Sequence, residues 1–108
     1  MKIEINNKNL LRETDLEVLE KIEKDNLEYL FVFDSVVWKE QGYDKGNNED
    51  CWREAKILKI HQGKLKKCGG VVLDYSNQLF VDVEFDNRIS NNHFLTMVEF
   101  EKRKLKEK

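Results

Sequence analysis

Residues 52–61, Trp52-Arg53-Glu54-Ala55-Lys56-Ile57-Leu58-Lys59-Ile60-His61, decide the fold. They open a train of short segments rich in β-branched and aromatic residues that runs to Phe100, in a chain without a single proline. Such segments, divided by turn formers, are the pattern of a small, strongly bent all-β barrel or sheet. Within 52–61 the alternation is imperfect. Trp52, Glu54, Lys56, Leu58 and Ile60 fall on one side and Arg53, Ala55, Ile57 and Lys59 on the other, so neither side is purely apolar and the faces stay unassigned.

Downstream, 71–75, 79–85 and 93–100 read as three further strands, joined at Ser76-Asn77 and through an 86–92 loop, both rich in turn formers. Residues 62–70 (QGKLKKCGG) read as a basic, glycine-bounded turn. Upstream, 27–38 reads as one bent strand or two short ones broken at Asp34-Ser35. Residues 42–50 (GYDKGNNED) read as a polar loop of the kind that often carries functional side chains. Thr14 and Glu17 have capping-box spacing, and Asp15, Glu17 and Glu20 favour the positive end of a helix. This predicts a helix from about 15 to 24, ended by Asp25 and Asn26, with Leu16, Leu19 and Ile22 as its apolar stripe. Residues 2–6 alternate and predict a short edge strand or an ordered lead-in, while 101–108 (EKRKLKEK) read as a charged tail.

At 108 residues the chain is long enough for one core, so a single domain 1–108 is expected: a strand and helix element at 1–26, a β-barrel at 27–100 and a charged tail at 101–108. With 40% hydrophobic and 37% charged residues it can fill that core under a densely charged surface. The apolar run 30–33 is stopped by Asp34, far short of a membrane span, and the first 25 residues carry charges throughout, unlike a secretory signal. A soluble, cytoplasmic protein with two free thiols, Cys51 and Cys68, is the expectation. Net charge is −2 but divided: seven Lys/Arg against thirteen Asp/Glu give −6 over 1–50, and twelve against eight give +4 over 51–108. An acidic element lying on a basic face, or two surfaces meeting different partners, would each account for that division.

Residues 36–77 resemble a Tudor domain, a member of the SH3-like small-barrel group. Val37-Trp38-Lys39-Glu40 is similar to the family's first strand with its aromatic and acidic turn, and Cys51-Trp52-Arg53-Glu54-Ala55-Lys56-Ile57 to its aromatic-x-x-Ala-x-Ile second strand. Val72-Leu73-Asp74-Tyr75-Ser76-Asn77 is similar to its Asp-Tyr-Gly-Asn turn, departing from it in that Ser76 stands at the glycine position. A second register instead sets Val83-Glu84-Phe85-Asp86 in the third strand and closes the barrel with 94–98. The resemblance implies a small barrel, and with the strand and helix read at 1–26 the expectation is an α+β fold, an N-terminal short strand and helix followed by a five-stranded SH3-like (Tudor-like) antiparallel barrel. In the first register it also implies recognition of a methylated lysine or arginine by an aromatic cage, with Trp38, Trp52 and Tyr75 at the cage positions and Asn77 as polar partner. Packing within a core or on a sheet face is the alternative for the same rings.

No constellation for catalysis stands out. Cys51, His61, Cys68 and His93 lack the close ligand pairs of a zinc site, and neither cysteine is flanked by an activating pattern. Asp74, Asp82, Glu84 and Asp86 read as a solvated acidic face, and Gly63-Lys64 and Gly69-Gly70 lack the rest of a phosphate loop. No catalytic residue, metal or cofactor is therefore expected. The reading is a small non-enzymatic module that binds a protein or peptide through Trp38, Tyr43, Trp52, Tyr75 and Asn77. Its compact, Asn- and Lys-rich style matches inhibitor-type proteins of phages and mobile elements, and exposed edge strands could pair two copies. The alternative is a nucleic-acid-binding barrel using Arg53, Lys56, Lys59, Lys64, Lys66 and Lys67, with Trp52 and His61 interleaved, together with the 102–108 tail. A sequence pI near 5.7 weighs against that alternative.

Overall fold

The computed structural model describes residues 1–34 and 51–100. In chain order its elements are β1 (Lys2–Glu4), α1 (Glu13–Lys24), β2 (Tyr29–Phe33), β3 (Trp52–Gln62), β4 (Leu65–Cys68), β5 (Val71–Asp74), β6 (Leu79–Phe85) and β7 (Arg88–Phe94), with short 3-10 turns at Lys8–Leu10 and Leu95–Met97. The fold is α+β, with one helix among the described residues and mostly sheet.

β3 organises the main sheet. β6 lies antiparallel along one edge, while the other edge is shared end to end: β2 pairs antiparallel with 52–56 and β1 runs parallel to 59–61. β7 continues the sheet beyond β6, and β4 and β5 form a separate two-stranded hairpin. The strand ladders do not close into a barrel, so the five-stranded barrel of the sequence reading is met here by an open five-stranded sheet. Past the Leu95–Met97 turn, Glu99 lies against β2: Phe31 N–H donates to its carbonyl at 2.8 Å and Glu99 N–H donates to that of Phe31 at 3.0 Å.

β6 carries the clearest period of two. Leu79, Val81, Val83 and Phe85 point into the core with Leu30 and Val32 of β2, Ala55, Ile57 and Ile60 of β3, and Leu95. Leu19 and Ile22 of α1 lie fully within the same core, each of its large side chains contributing roughly 1.5–3 kcal/mol by leaving water. The imperfect alternation of 52–61 has a physical origin: the register between β3 and β6 slips between Ile57 and Lys59. A bulge there puts Ala55 and Ile57 inward on one side of it and Ile60 and Gln62 inward on the other.

Three boundaries differ from the sequence reading. The helix begins at Glu13, with Arg12 at its N-cap and no side-chain cap, so Thr14 sits inside the first turn and no capping box forms. Asp15 has turned inward instead: it is fully buried, its Oδ2 accepting from Arg12 Nε at 2.8 Å and its Oδ1 from Leu79 N–H at 2.9 Å. At the other end Asn26 adopts φ +50°, and Leu27 N–H reaches Ile22 C=O while Asn26 N–H reaches Glu23 C=O, a Schellman closure.

The proposed 93–100 strand is β7 at Arg88–Phe94 instead, because Asp86 and Asn87 both take positive φ and reverse the chain in two residues. Residues 62–70 are not a simple turn: Gly69 and Gly70, also at positive φ, form the tip of the β4–β5 hairpin.

Candidate functional site

The face of the sheet away from the core is not uniformly solvated. Register sets His61 opposite Phe80, and Phe80 opposite Phe94, so three rings lie abreast across β3, β6 and β7. His61 stacks on Phe80 at 5.9 Å between centroids, and Phe80 meets Phe94 at 4.9 Å. Tyr75, from the turn after β5, closes the cluster edge-on to Phe80 at 5.9 Å and lies 6.4 Å from Phe94. Each such pair adds roughly 0.5–1.5 kcal/mol beyond its buried area.

The turn that delivers Tyr75 is held from both sides. Asp74 Oδ1 accepts from Ser76 N–H at 2.9 Å and from Ser76 Oγ at 2.6 Å, and these bonds, the hydroxyl's first, lower the Asp74 pKa. Ser76 is not at positive φ, so this turn does not require a glycine there. Below the turn, Gly63 packs so tightly that a Cβ would strike the Tyr75 carbonyl oxygen and lie 2.7 Å from the Phe80 ring.

A second layer of polar groups rims the cluster. His61 Nε2 lies 3.1 Å from Asp82 Oδ1, which also accepts from Asn92 N–H at 2.9 Å. Asn92, at φ +62°, belongs to the stretch where β7 carries one residue more than β6, so Asp82 sits beside bulges in both neighbouring strands. Asp82 is thus half-buried and engaged, in contrast to the solvated carboxylate expected from sequence. Glu4 bridges Lys2 and Lys59, 2.9 Å from each Nζ, and these hydrogen bonds hold its carboxyl at about 2.

Between the cluster and the hairpin runs a groove of about 670 Å³, a size common for ligand sites. Tyr75, Phe80 and Phe94 line it, Lys64 and Lys66 enter from the hairpin side, and Asn91 and Asn92 from β7. Among the described residues Lys64 and Lys66 take part in no ion pair, so the open positive charge of the groove is theirs.

The sequence-derived site residues are scattered. Trp38 and Tyr43 lie outside the described residues, as does the 102–108 tail. Tyr75 is in the groove; Asn77 is exposed, and its carbonyl accepts from Arg12 N–H at 3.1 Å. Trp52 is half-buried at the far end of β3, edge-on to Phe33 at 5.7 Å. It lies nine residues along the strand from His61, about 30 Å at the usual rise, so the structure does not bring Trp52 and Tyr75 together.

The basic set divides in the same way. Arg53 lies within 4.0 Å of both Asp34 and Asp86, Lys56 faces Glu84 across the strands, and Lys59 is paired with Glu4, leaving Lys64, Lys66 and Lys67 on the hairpin. Cys51 is buried at the head of β3 and Cys68 exposed at the hairpin tip, and neither is in a disulfide. The residues missed from sequence were Phe80 and Phe94; the signal was the outward place of Phe80 in the alternation of β6.

Comparison of the chain with protein-family models, with curated proteins and with solved structures returns no match. None of the described helices is long and apolar enough to cross a membrane.

Proposed function

We propose that this chain is a non-enzymatic binding module that seats a segment of a partner protein in the groove beneath the β4–β5 hairpin. The observation that carries this reading is the pairing of an aromatic wall, Tyr75 and Phe94 over Phe80, with two lysines, Lys64 and Lys66, that have no ion-pair partner among the described residues. Such a wall gives apolar side chains a dry contact, and the lysines favour carboxylates beside them. The partner segment is therefore a peptide carrying acidic and apolar residues.

An SH3-like small barrel is the scaffold proposed for it. The order β2, β3, β6, β7, a 3-10 turn and a return of Glu99 to Phe31 supports that scaffold, with the β4–β5 hairpin as an insertion between its second and third strands. Occlusion of a host factor by a phage or mobile-element protein is one use of such a module.

Selection of random linear peptides on the immobilised protein tests the reading. Acidic, apolar sequences should be enriched, and Tyr75→Ala or the Lys64→Glu/Lys66→Glu pair should weaken their binding about tenfold or more, ~1.4 kcal/mol. If short oligonucleotides bind instead, with affinity falling steeply with salt, the groove belongs to nucleic acid and the peptide reading is wrong.

A further inference from the structure

The β4–β5 hairpin stands apart from the main ladder, and all eight of its strand residues are exposed. Leu65, Val71, Val72 and Leu73 are exposed large apolar side chains, Val71 and Val72 at 58% and 56%. A two-stranded ribbon of this kind is marginal in water, and a third or fourth strand is what stabilises it.

Its two edges are not equivalent. The β4 edge carries Lys66 and Lys67, side chains that keep a sheet edge from pairing. The β5 edge reads Val-Val-Leu-Asp, with no lysine, and its single charge, Asp74, is already engaged by Ser76. The backbone of β5 is also available. A two-residue tip makes Cys68 and Val71 the hydrogen-bonded pair next to the turn, so Lys66 and Leu73 form the next one, and the N–H and C=O of Val72 point away from β4.

We propose that this free edge pairs with the same edge of a second copy, antiparallel about a two-fold axis through Val72. Val72 then exchanges both backbone hydrogen bonds with its counterpart, while Val71 faces Leu73 of the other copy and Leu73 faces Val71, giving three apolar cross-strand pairs. Shifting the axis to Leu73 would place Val72 opposite Asp74, which is why the Val72 register is preferred. The assembly is an isologous dimer with a four-stranded sheet, β4–β5–β5–β4. Its two lysine-bearing strands are the outer ones, three strand spacings or about 14 Å apart, beyond the roughly 8 Å screening length of physiological salt. Self-matching in both sequence and charge selects a second copy over an unrelated strand.

The test is sedimentation equilibrium of the full chain across the micromolar range, with reductant present so that exposed Cys68 forms no disulfide. The expected mass rises from one chain of 12.9 kDa to twice that value and stops there. Val72→Pro removes only the outward N–H, which edge positions tolerate, and should leave a folded monomer with the amide spectrum of the hairpin retained. Val72→Lys, which sets two cations face to face on the axis, should also give a monomer. Tyr75→Ala, which alters the groove and not the β5 edge, should leave the dimer unchanged, so loss of peptide binding and loss of dimer are separate outcomes. A chain that stays monomeric throughout, a mass that keeps growing past two, or a dimer indifferent to both Val72 variants overturns the proposal.

Discussion

The side chain of Gln62 pairs with the backbone of Asn7 as a strand would. Its Oε1 accepts from Asn7 N–H at 2.8 Å, and its Nε2 donates to Asn7 C=O at 2.9 Å. The same carboxamide accepts from Asn6 N–H at 2.9 Å and donates to Ser76 C=O at 2.6 Å, so a buried side chain fulfils four hydrogen bonds. It fastens the residues after β1 to the end of β3 and to the turn that carries Tyr75. Gln62→Leu keeps the volume and strands Asn6 N–H, Asn7 N–H and Ser76 C=O, while Asn7 C=O keeps Leu10 N–H at 3.2 Å, and this should lower stability by about 2–4 kcal/mol. Gln62→Glu should be equally harmful at neutral pH, because its second oxygen faces two carbonyls, and should partly recover in acid as it regains a proton. Urea unfolding of both variants at neutral and acidic pH measures this. A loss of stability common to both variants and independent of pH would show that the carboxamide's donors are not what matters.

Asp15 plays the matching role for the helix. It is fully buried, bonded to Arg12 Nε and to the N–H of Leu79 at the first residue of β6, and so ties the first turn of α1 to the central sheet. Asp15→Ala leaves that N–H without a partner in the interior and should cost about 1.5–3 kcal/mol, the range for hydrogen bonds to a charged group. Arg12→Ala leaves the buried Asp15 carboxylate without its counter-ion, so it should cost at least as much. Thermal unfolding of the two variants beside the parent checks the order.

These two residues mark where sequence legibility ends. The outlines of α1, β3 and β6 follow from local chemistry: leucine and isoleucine at helical spacing, an Asp25-Asn26 stop, and the alternation of Leu79 to Phe85. Asp15 and Gln62 read locally as a helix-start acid and a turn residue, yet both act through partners more than fifty residues away, and spacing along the chain carries no trace of such bonds. β7 was misplaced because Asp86-Asn87 supports a tight reversal as well as a loop, and tertiary pairing with β6 decides between them. Of the candidate site, Tyr75 was legible as an aromatic in a turn. Phe80 was legible only as an outward residue of β6, because the register that sets it opposite His61 and Phe94 comes from tertiary pairing, which spacing along the chain does not encode.

His93 supplies a pH dependence. Its Nε2 lies 2.6 Å from Ser90 Oγ, and partial burial lowers its pKa below the usual 6.5, outweighing the opposing pull of Asp82 and Asp34. The unfolded chain therefore binds the proton more readily than the folded one. Stability from this residue is intact above pH 6.5 and declines as pH falls through the lowered native value. Parent and His93→Gln should thus converge in stability as the solution is taken from neutral to mildly acidic. His61 is present in both and cancels from the difference. Parallel urea midpoints across that range would sink the assignment.

Gly63 separates the site from the scaffold. It is not needed for a left-handed turn; it is needed because the Tyr75 carbonyl and the Phe80 ring occupy the space of a side chain, while its N–H donates to Gln78 C=O at 2.9 Å. Gly63→Ala must push Tyr75 outward or unseat Phe80. Moving the exposed turn is cheaper than moving a ring that is only 9% exposed, so Tyr75 should give way. The expected cost is about 1–3 kcal/mol, in the range of overpacked sites. Amide shifts should concentrate in residues 63–78 and leave the β2–β3 pairing unchanged. Peptide binding in the groove should fall with them, because Tyr75 no longer stands beside Phe94. If instead the shifts spread evenly through the core, Gly63 supports the whole sheet and the hairpin cannot be repositioned independently of it.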